Sequence, residues 1–290
     1  MWIPLILASA FLLALYDTAK KHSVRDNGVM PVLFAATACG SAAFAAALAA
    51  TGHLRPALAI APAAFWLVAL KALIVTASWV FVYYAMRALP LSIVAPIRAS
   101  GPLWTLAGAV LLFREIPSPL QALGMAAVLA GYWIFSLAGR AEGIRFTRHA
   151  GILYAFAGTL LGAGSALYDK YLLRTCGLPR DTMQLWFAFD LVAILGAALL
   201  VQRLAGLHRT RFTWRWTIPV VGILLMASDW LYFGALSQEG VAISVLSLIR
   251  RSNVVLSFAA GAFLFRERNL RKKALALAAI LLGVALLCLG

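Results

Sequence analysis

The feature that most constrains this chain is a series of long apolar segments separated by short charged ones. Apolar residues make up 63% of the 290 residues and charged residues 12%, against about 45–50% and 25% in soluble domains. A membrane-spanning helix needs about 20 apolar residues. The chain holds ten such segments. It is therefore predicted to be an all-α membrane protein with no room for a separate catalytic domain.

Each predicted helix is bounded by charged residues, glycine or proline. The ten segments lie at 2–18, 30–51, 63–88, 91–113, 118–138, 150–172, 182–203, 216–236, 241–265 and 273–289. Their continuous apolarity excludes the alternating pattern of an outer-membrane barrel. The first segment has no basic start, and charged residues follow it where a cleavage site would be. It is predicted to be a retained helix and not a signal peptide.

Three sequence blocks recur at a constant shift of 152 residues. They are Ala-Leu-Tyr-Asp (14–17 and 166–169), Ile-Arg-x-Ser (97–100 and 249–252) and Leu-Phe-Arg-Glu (112–115 and 264–267). Between them, Ala-Ser at 77–78 recurs at 227–228. Each half then holds five helices, and an odd number makes the second half enter the membrane in the opposite sense. The sequence predicts two inverted repeats, 1–139 and 140–290, forming one transmembrane unit with a substrate site between them.

Several basic residues lie inside the predicted helices. Arg98 and Arg250 are repeat-equivalent and lie near mid-depth, Arg251 follows directly, and Lys71 lies deep in the third helix. Such a residue costs at least about 2.5–3.5 kcal/mol on insertion scales. Guanidinium groups bind phosphate, phosphonate and carboxylate groups through paired hydrogen bonds. These residues, with Ser252, are predicted to bind an anionic substrate. The alternative is that each arginine pairs with an aspartate, such as Asp17, Asp169, Asp190 or Asp229, and pins helices together.

A second group of residues is suited to binding an amine group of a substrate. Asp229 lies beside Trp230 in the eighth helix, at the level of Trp79 and Tyr83 in the third. A carboxylate with aromatic faces can bind an ammonium group, and together with the arginines it would suit a zwitterion. The alternative is that these aromatic residues only pack or form an interfacial belt.

Four aspartates are candidates for proton coupling, because intramembrane carboxylates often carry protons. They are Asp229, Asp190, Asp17 and Asp169. The last two are repeat-equivalent, lie near helix ends and have a lysine within three residues. A solvated salt bridge is the alternative for that pair.

Taken together, these motifs resemble a known family. Two five-helix halves, each with an Arg-Glu pair before its last helix, and Gly124 and Gly131 in that helix of the first half, are similar to the EamA branch of the drug/metabolite transporter superfamily. The chain departs from the pattern at Ala276 and Val254, where Gly and Pro are expected. The resemblance implies a ten-helix secondary transporter.

The basic site has a resemblance of its own. Plastid phosphate translocators of the same superfamily hold phosphate with a basic residue in the fourth helix and a basic pair in the ninth. The matching positions here are Arg98, Arg250 and Arg251. The likeness implies an anion site, without identifying a sugar phosphate as the substrate.

The leading functional prediction is a secondary transporter of a small organic anion or zwitterion, without a cofactor, acting by alternating access. Alternatives are an exporter of amphipathic or cationic drugs, an intramembrane enzyme, or a channel. The four histidines lie in predicted loops without a hydrolase or metalloprotease motif, and no nucleotide-binding loop is present. An enzyme or an ATP-driven pump is therefore not predicted.

The charge distribution predicts location and orientation. The net charge of +15 falls mostly in loops, where it indicates topology and contact with membrane lipids instead of nucleic acid. Odd-numbered loops carry 16 Lys and Arg residues and the opposite side four. The positive-inside rule then places both termini outside the cytoplasm. A monomer or homodimer in a bacterial-type inner membrane is expected.

Overall fold

The computed structural model describes residues 2–24, 27–88, 97–98, 100–137, 150–206, 211–253 and 270–289. The elements in these ranges are helices, and no strand occurs among them. In chain order they are α1 (Trp2–Val24), α2 (Val29–Ala50), α3 (Leu54–Leu58), α4 (Pro62–Ala88), α5 (Gly101–Phe113), α6 (Pro119–Leu137), α7 (Ala150–Lys170), a π-helical turn (Tyr171–Thr175), α8 (Arg180–Leu204), α9 (Thr217–Leu236), α10 (Ile243–Arg251) and α11 (Leu270–Leu289).

Six of the described helices are long and apolar enough to cross a membrane. They are Trp2–Val24, Val29–Ala50, Pro62–Val82, Ala150–Thr175, Arg180–Leu204 and Thr217–Leu236. Three shorter apolar helices accompany them within the described ranges. These lengths and compositions support an integral, multi-pass helical membrane protein. The full set of ten spans stays a prediction.

The helices form two compact units, and each unit draws on both halves of the sequence. The first unit comprises Met1–Thr76 and Asp169–Gln238, and the second comprises Ala77–Tyr168 and Glu239–Gly290. Helix α4 therefore begins in the first unit and ends in the second, and α7 runs the other way.

Small residues hold the first unit together where α9 crosses α1 and α2. A Cβ built on Gly222 would lie 1.9 Å from the carbonyl oxygen of Ala36, so only glycine allows this approach. Ser9 and Ser228 donate hydroxyl hydrogen bonds to each other's carbonyl oxygens, at 2.8 and 2.9 Å. Small residues at these crossings therefore allow the helix backbones to meet closely.

The second unit repeats this kind of packing with α6 and α11. A Cβ on Gly124 would lie 2.9 Å from the carbonyl oxygen of Gly283, and one on Gly283 would lie 2.7 Å from that of Gly124. Ser78 donates a 2.7 Å hydrogen bond to the carbonyl oxygen of Gly158 between α4 and α7. Ser78 is the repeat equivalent of Ser228, and each bonds to a carbonyl of a neighbouring helix.

Candidate functional site

Two serines at repeat-equivalent positions mark turns in the predicted fourth and ninth helices. Ser100 forms the turn before α5, and Ser252 forms the turn after α10. Ser100 bonds to Ile97 and Ser252 to Ile249, each hydroxyl donating to the carbonyl oxygen three residues earlier at 2.6 Å. The serine of each Ile-Arg-x-Ser block therefore makes the same local hydrogen bond. Both serines keep right-handed helical backbone angles, so each marks a tightened turn.

The predicted arginines lie beside these turns, within the second unit. Arg98 and Arg250 each precede the serine by two residues and are half-buried, whereas Arg251 is exposed. A Cβ built on Gly101, the first residue of α5, would lie 3.9 Å from Nη2 of Arg251 and 3.6 Å from Cγ2 of Thr159. Helix α10 packs against α5. The guanidinium of Arg251 thus reaches the turn that follows Arg98.

This arrangement concentrates positive potential at the N-terminus of α5. The N-terminus of α5 carries the partial positive charge of its helix dipole, and Arg251 adds a full charge close to it. Backbone N–H groups at a helix start together with a nearby arginine favour an anion. Gly101 and Pro102 are both buried there, and Pro102 contributes no backbone N–H group.

The Arg-Glu pair at 114–115 follows α5 and contacts the start of α10. Arg114 ends α5 in the left-handed conformation, with φ 55°. The carboxylate of Glu115 then accepts a hydrogen bond from the backbone N–H of Ile243, the first residue of α10, at 3.0 Å. An acidic group at a helix N-terminus stabilises it. Glu115 therefore caps the helix that ends in Arg250 and Arg251, whereas the sequence marked it only as a helix boundary.

Lys71 has a different environment in the first unit. Its Nζ lies 2.6 Å from Oδ1 of Asp169, and both side chains are buried, at 3% and 7% exposure. The same Nζ lies 3.8 Å from the ring centroid of Phe187 and 5.3 Å from that of Phe233. The expectation of a solvated salt bridge at Asp169 is wrong, because helix packing buries this carboxylate beside Lys71. Lys71, which the sequence predicts to bind substrate, lies in an internal ion pair with Asp169.

Trp230 also has a partner from the protein itself. The guanidinium of Arg180 lies 3.8 Å from its ring centroid, and its indole N–H donates a 2.9 Å hydrogen bond to Asp181. Arg180 in turn pairs with Asp181 at 3.3 Å. Gly234 makes room for this stack, since a Cβ there would lie 2.7 Å from Nη1 of Arg180. The Trp230 ring, which the sequence predicts to bind a substrate ammonium group, therefore already contacts the guanidinium of Arg180.

The other predicted residues are divided between the units. Trp79 is half-buried in the second unit, and the Tyr83 side chain lies outside the described residues. The remaining aspartates, Asp17, Asp190 and Asp229, are half-buried in the first unit. Within the described part of the chain, Oδ2 of Asp190 is buried without a hydrogen-bond partner.

Some functional contacts were missed because they join residues far apart in sequence. The pairing of Lys71 with Asp169 has no local signal. Proline at 102, which occupies the first turn of α5, was a usable signal for a helix start after Ser100, because proline favours that position.

Comparisons with known proteins agree with this fold. Residues 1–137 match the model of the EamA-like transporter family. The first half of the chain resembles EamA-like transporters. Their activity is transport and not enzymatic catalysis, which supports a membrane transporter at this coarse level. The match to the EamA-like family ends at residue 137. The further likeness to plastid phosphate translocators is not supported.

A solved structure titled only "Crystal structure of protein" has a TM-score of 0.77 and 17% identity, with 98% of each chain covered. At that identity the likeness shows the shared fold alone. No curated protein matches the chain.

Proposed function

We propose that the protein is a secondary transporter of a small organic anion or zwitterion, working by alternating access between two inverted five-helix repeats. The substrate class includes phosphates, phosphonates, carboxylates and amino-acid-like molecules. The observation that carries the proposal is the pair of Ile-Arg-x-Ser turns, with Arg98 and Arg250 at equivalent positions and Arg251 beside Gly101.

The energetics of the arginines favour a binding role. Membrane insertion of each arginine costs at least about 2.5–3.5 kcal/mol, and a substrate anion between them would offset that cost through charge-assisted hydrogen bonds. Arg98 belongs to the first repeat and Arg250 and Arg251 to the second, so one anion could be held by both repeats. Equivalent turns would let the two repeats exchange roles as access alternates.

An amine site, and with it the export of amphipathic or cationic drugs, has weaker support. Arg180 occupies the face of Trp230, and Asp181 binds its N–H group. A substrate ammonium at Trp230 would have to displace that arginine. The anionic part of the substrate is therefore the better supported part of the proposal.

Proton coupling is a further part of the proposal, and Asp190 is its best supported carrier. Its buried Oδ2 has no hydrogen-bond partner within the described residues, which suits a carboxylate that takes up a proton. Asp169 is a poorer candidate, because Lys71 stabilises its charged form at 2.6 Å. Asp229 and Asp17 remain alternatives.

Counterflow in proteoliposomes tests the proposal. Vesicles loaded with phosphate, a phosphonate, a dicarboxylate or glutamate should accumulate the labelled form of the same compound, with saturation, for at least one class. An aromatic cation should give no accumulation. Accumulation of the cation alone would contradict the substrate class, and product formation or non-saturable flux would contradict the transporter mechanism.

A further inference from the structure

Helices α5 and α10 pack against each other in the second unit and make contacts at both ends. At one end, the carboxylate of Glu115, just after α5, accepts a 3.0 Å hydrogen bond from the N–H group of Ile243, the first residue of α10. At the other end, a Cβ built on Gly101 would lie 3.9 Å from Nη2 of Arg251, the last residue of α10. The two helices are therefore antiparallel, and Glu115 binds the end of α10 opposite to its arginines.

The lengths of the two helices make this arrangement sensitive to the position of α10. Helix α5 has 13 residues and α10 has nine, which gives lengths of about 20 Å and 14 Å. The side chain of Arg251 covers the remaining distance to the start of α5. Because a helix this short moves as one body, a shift of its first residue along the axis also moves the arginines at its other end.

The end of α5 fixes the position from which the Glu115 side chain extends. Arg114 has a left-handed backbone, with φ 55°. Its N–H group donates to the carbonyl oxygen of Val110 at 3.1 Å, and the N–H group of Glu115 donates to that of Ala109 at 3.3 Å. These two bonds close the last turn of α5. The backbone of Glu115 is therefore held in place by α5.

The N–H group that Glu115 binds lies at a buried position. Ile243 is fully buried, so bulk water does not replace a lost bond there. A buried donor without an acceptor is costly, and the start of α10 would have to shift to give this group a new partner. Glu115 therefore fixes the position of α10 and does not only stabilise its first turn.

We propose that Glu115 is a positioning residue of the anion site and acts through α10 on Arg250 and Arg251. This inference rests on the proposed function, in which these arginines bind the substrate. Glu115 does not contact the substrate in this account, because it binds the opposite end of α10. Its loss should weaken substrate affinity, which raises KM and leaves the rate at saturation unchanged. A purely structural cap would lower stability and leave KM unchanged.

The test measures counterflow by the full-length protein in proteoliposomes, with labelled phosphate, methylphosphonate, succinate and glutamate as probes. For a probe that is transported, Glu115→Ala should raise KM about tenfold, on the scale of a lost helix cap. Vmax per folded protein should stay the same. Glu115→Gln keeps an acceptor for the N–H group of Ile243 and loses only the charge. Its KM should therefore lie within about threefold of the unaltered value.

Ser118 provides a matched control, because it caps α6 in the same unit. Its hydroxyl oxygen accepts a hydrogen bond from the N–H group of Gln121, and the Gln121 side chain accepts one from the N–H group of Ser118, both at 3.1 Å. The sequence of α6 contains no lysine or arginine. Ser118→Ala should therefore lower the melting temperature about as much as Glu115→Ala does and leave KM unchanged.

The possible outcomes separate this inference from the proposed function. Saturable counterflow with the same KM in Glu115→Ala and Ser118→Ala would refute the positioning role alone. If no probe gives saturable counterflow with the unaltered chain, the proposed function fails and this inference fails with it. If Glu115→Ala does not fold, Glu115→Asp decides, because it keeps the charge on a side chain shorter by one methylene group. An unaltered KM in that variant would refute the positioning role.

Discussion

Breaking the buried ion pair in the first unit should destabilise the protein far more than removing the pair entirely. Lys71 and Asp169 lie 2.6 Å apart and are almost fully buried. Removing one partner of such a pair costs about 3–5 kcal/mol, because the other charge stays buried. Replacing both charged side chains with apolar ones costs little, and can even stabilise the protein. We therefore expect Lys71→Met and Asp169→Leu each to fall in that range, and the double variant to lie within about 1 kcal/mol of the unaltered chain.

The aromatic neighbours set the order of the two single variants. In Asp169→Leu, Lys71 keeps the face of Phe187 at 3.8 Å, and a desolvated cation–π contact contributes about 2 kcal/mol. Lys71→Met removes this contact together with the ion pair, so it should be the more destabilising variant. Equilibrium unfolding in mixed micelles, followed by tryptophan fluorescence, gives the double-mutant cycle. Additive effects of the two substitutions would refute the account of this pair.

Three further outcomes are expected. Gly222→Ala should destabilise the protein by about 1–3 kcal/mol, because its Cβ would meet a backbone carbonyl oxygen at 1.9 Å. Gly164→Ala is the control, since no atom lies within 4 Å of a Cβ built there. Equal melting temperatures for the two variants would contradict this packing. Glu115→Ala should cost about 0.5–2 kcal/mol by uncapping α10, and an unchanged unfolding midpoint would remove that role. Cysteines replacing Thr51 and Ala205 should be labelled from opposite faces, with position 205 cytoplasmic, and labelling from one side would rule out the inverted repeat.

The sequence predicted the helices well, because apolar length is a local property. The bounds of α2, α7, α8 and α9 lie within two residues of the predicted ones. The turn at Ser252 was missed because apolarity continues through it, whereas Pro102 is a local signal for the turn at Ser100. The short helix Leu54–Leu58 was also missed, since it holds a proline and lies in a loop.

The candidate site was predicted in part. Repeat equivalence pointed to Arg98 and Arg250 as candidates, and the serine two residues after each makes the same local hydrogen bond. The roles of Lys71 and Trp230 could not be predicted, because each depends on a partner from another helix. A lone intramembrane charge in a sequence indicates only that a partner exists. Whether the partner is a substrate or another side chain is decided by tertiary packing.

The central claim is that Arg98 and Arg250 bind the substrate anion, and isothermal titration of the purified protein tests it most directly. The titrant is whichever of phosphate, a phosphonate, a dicarboxylate or glutamate gives counterflow. Arg98→Ala and Arg250→Ala should each lose at least about 2–3 kcal/mol of binding free energy. Arg250→Lys should lose less, because it keeps the charge but not the planar fork. Arg55→Ala, in the loop 51–61, should bind normally. Normal binding by both alanine variants, with a shared loss of stability, would contradict the account and make the arginines structural.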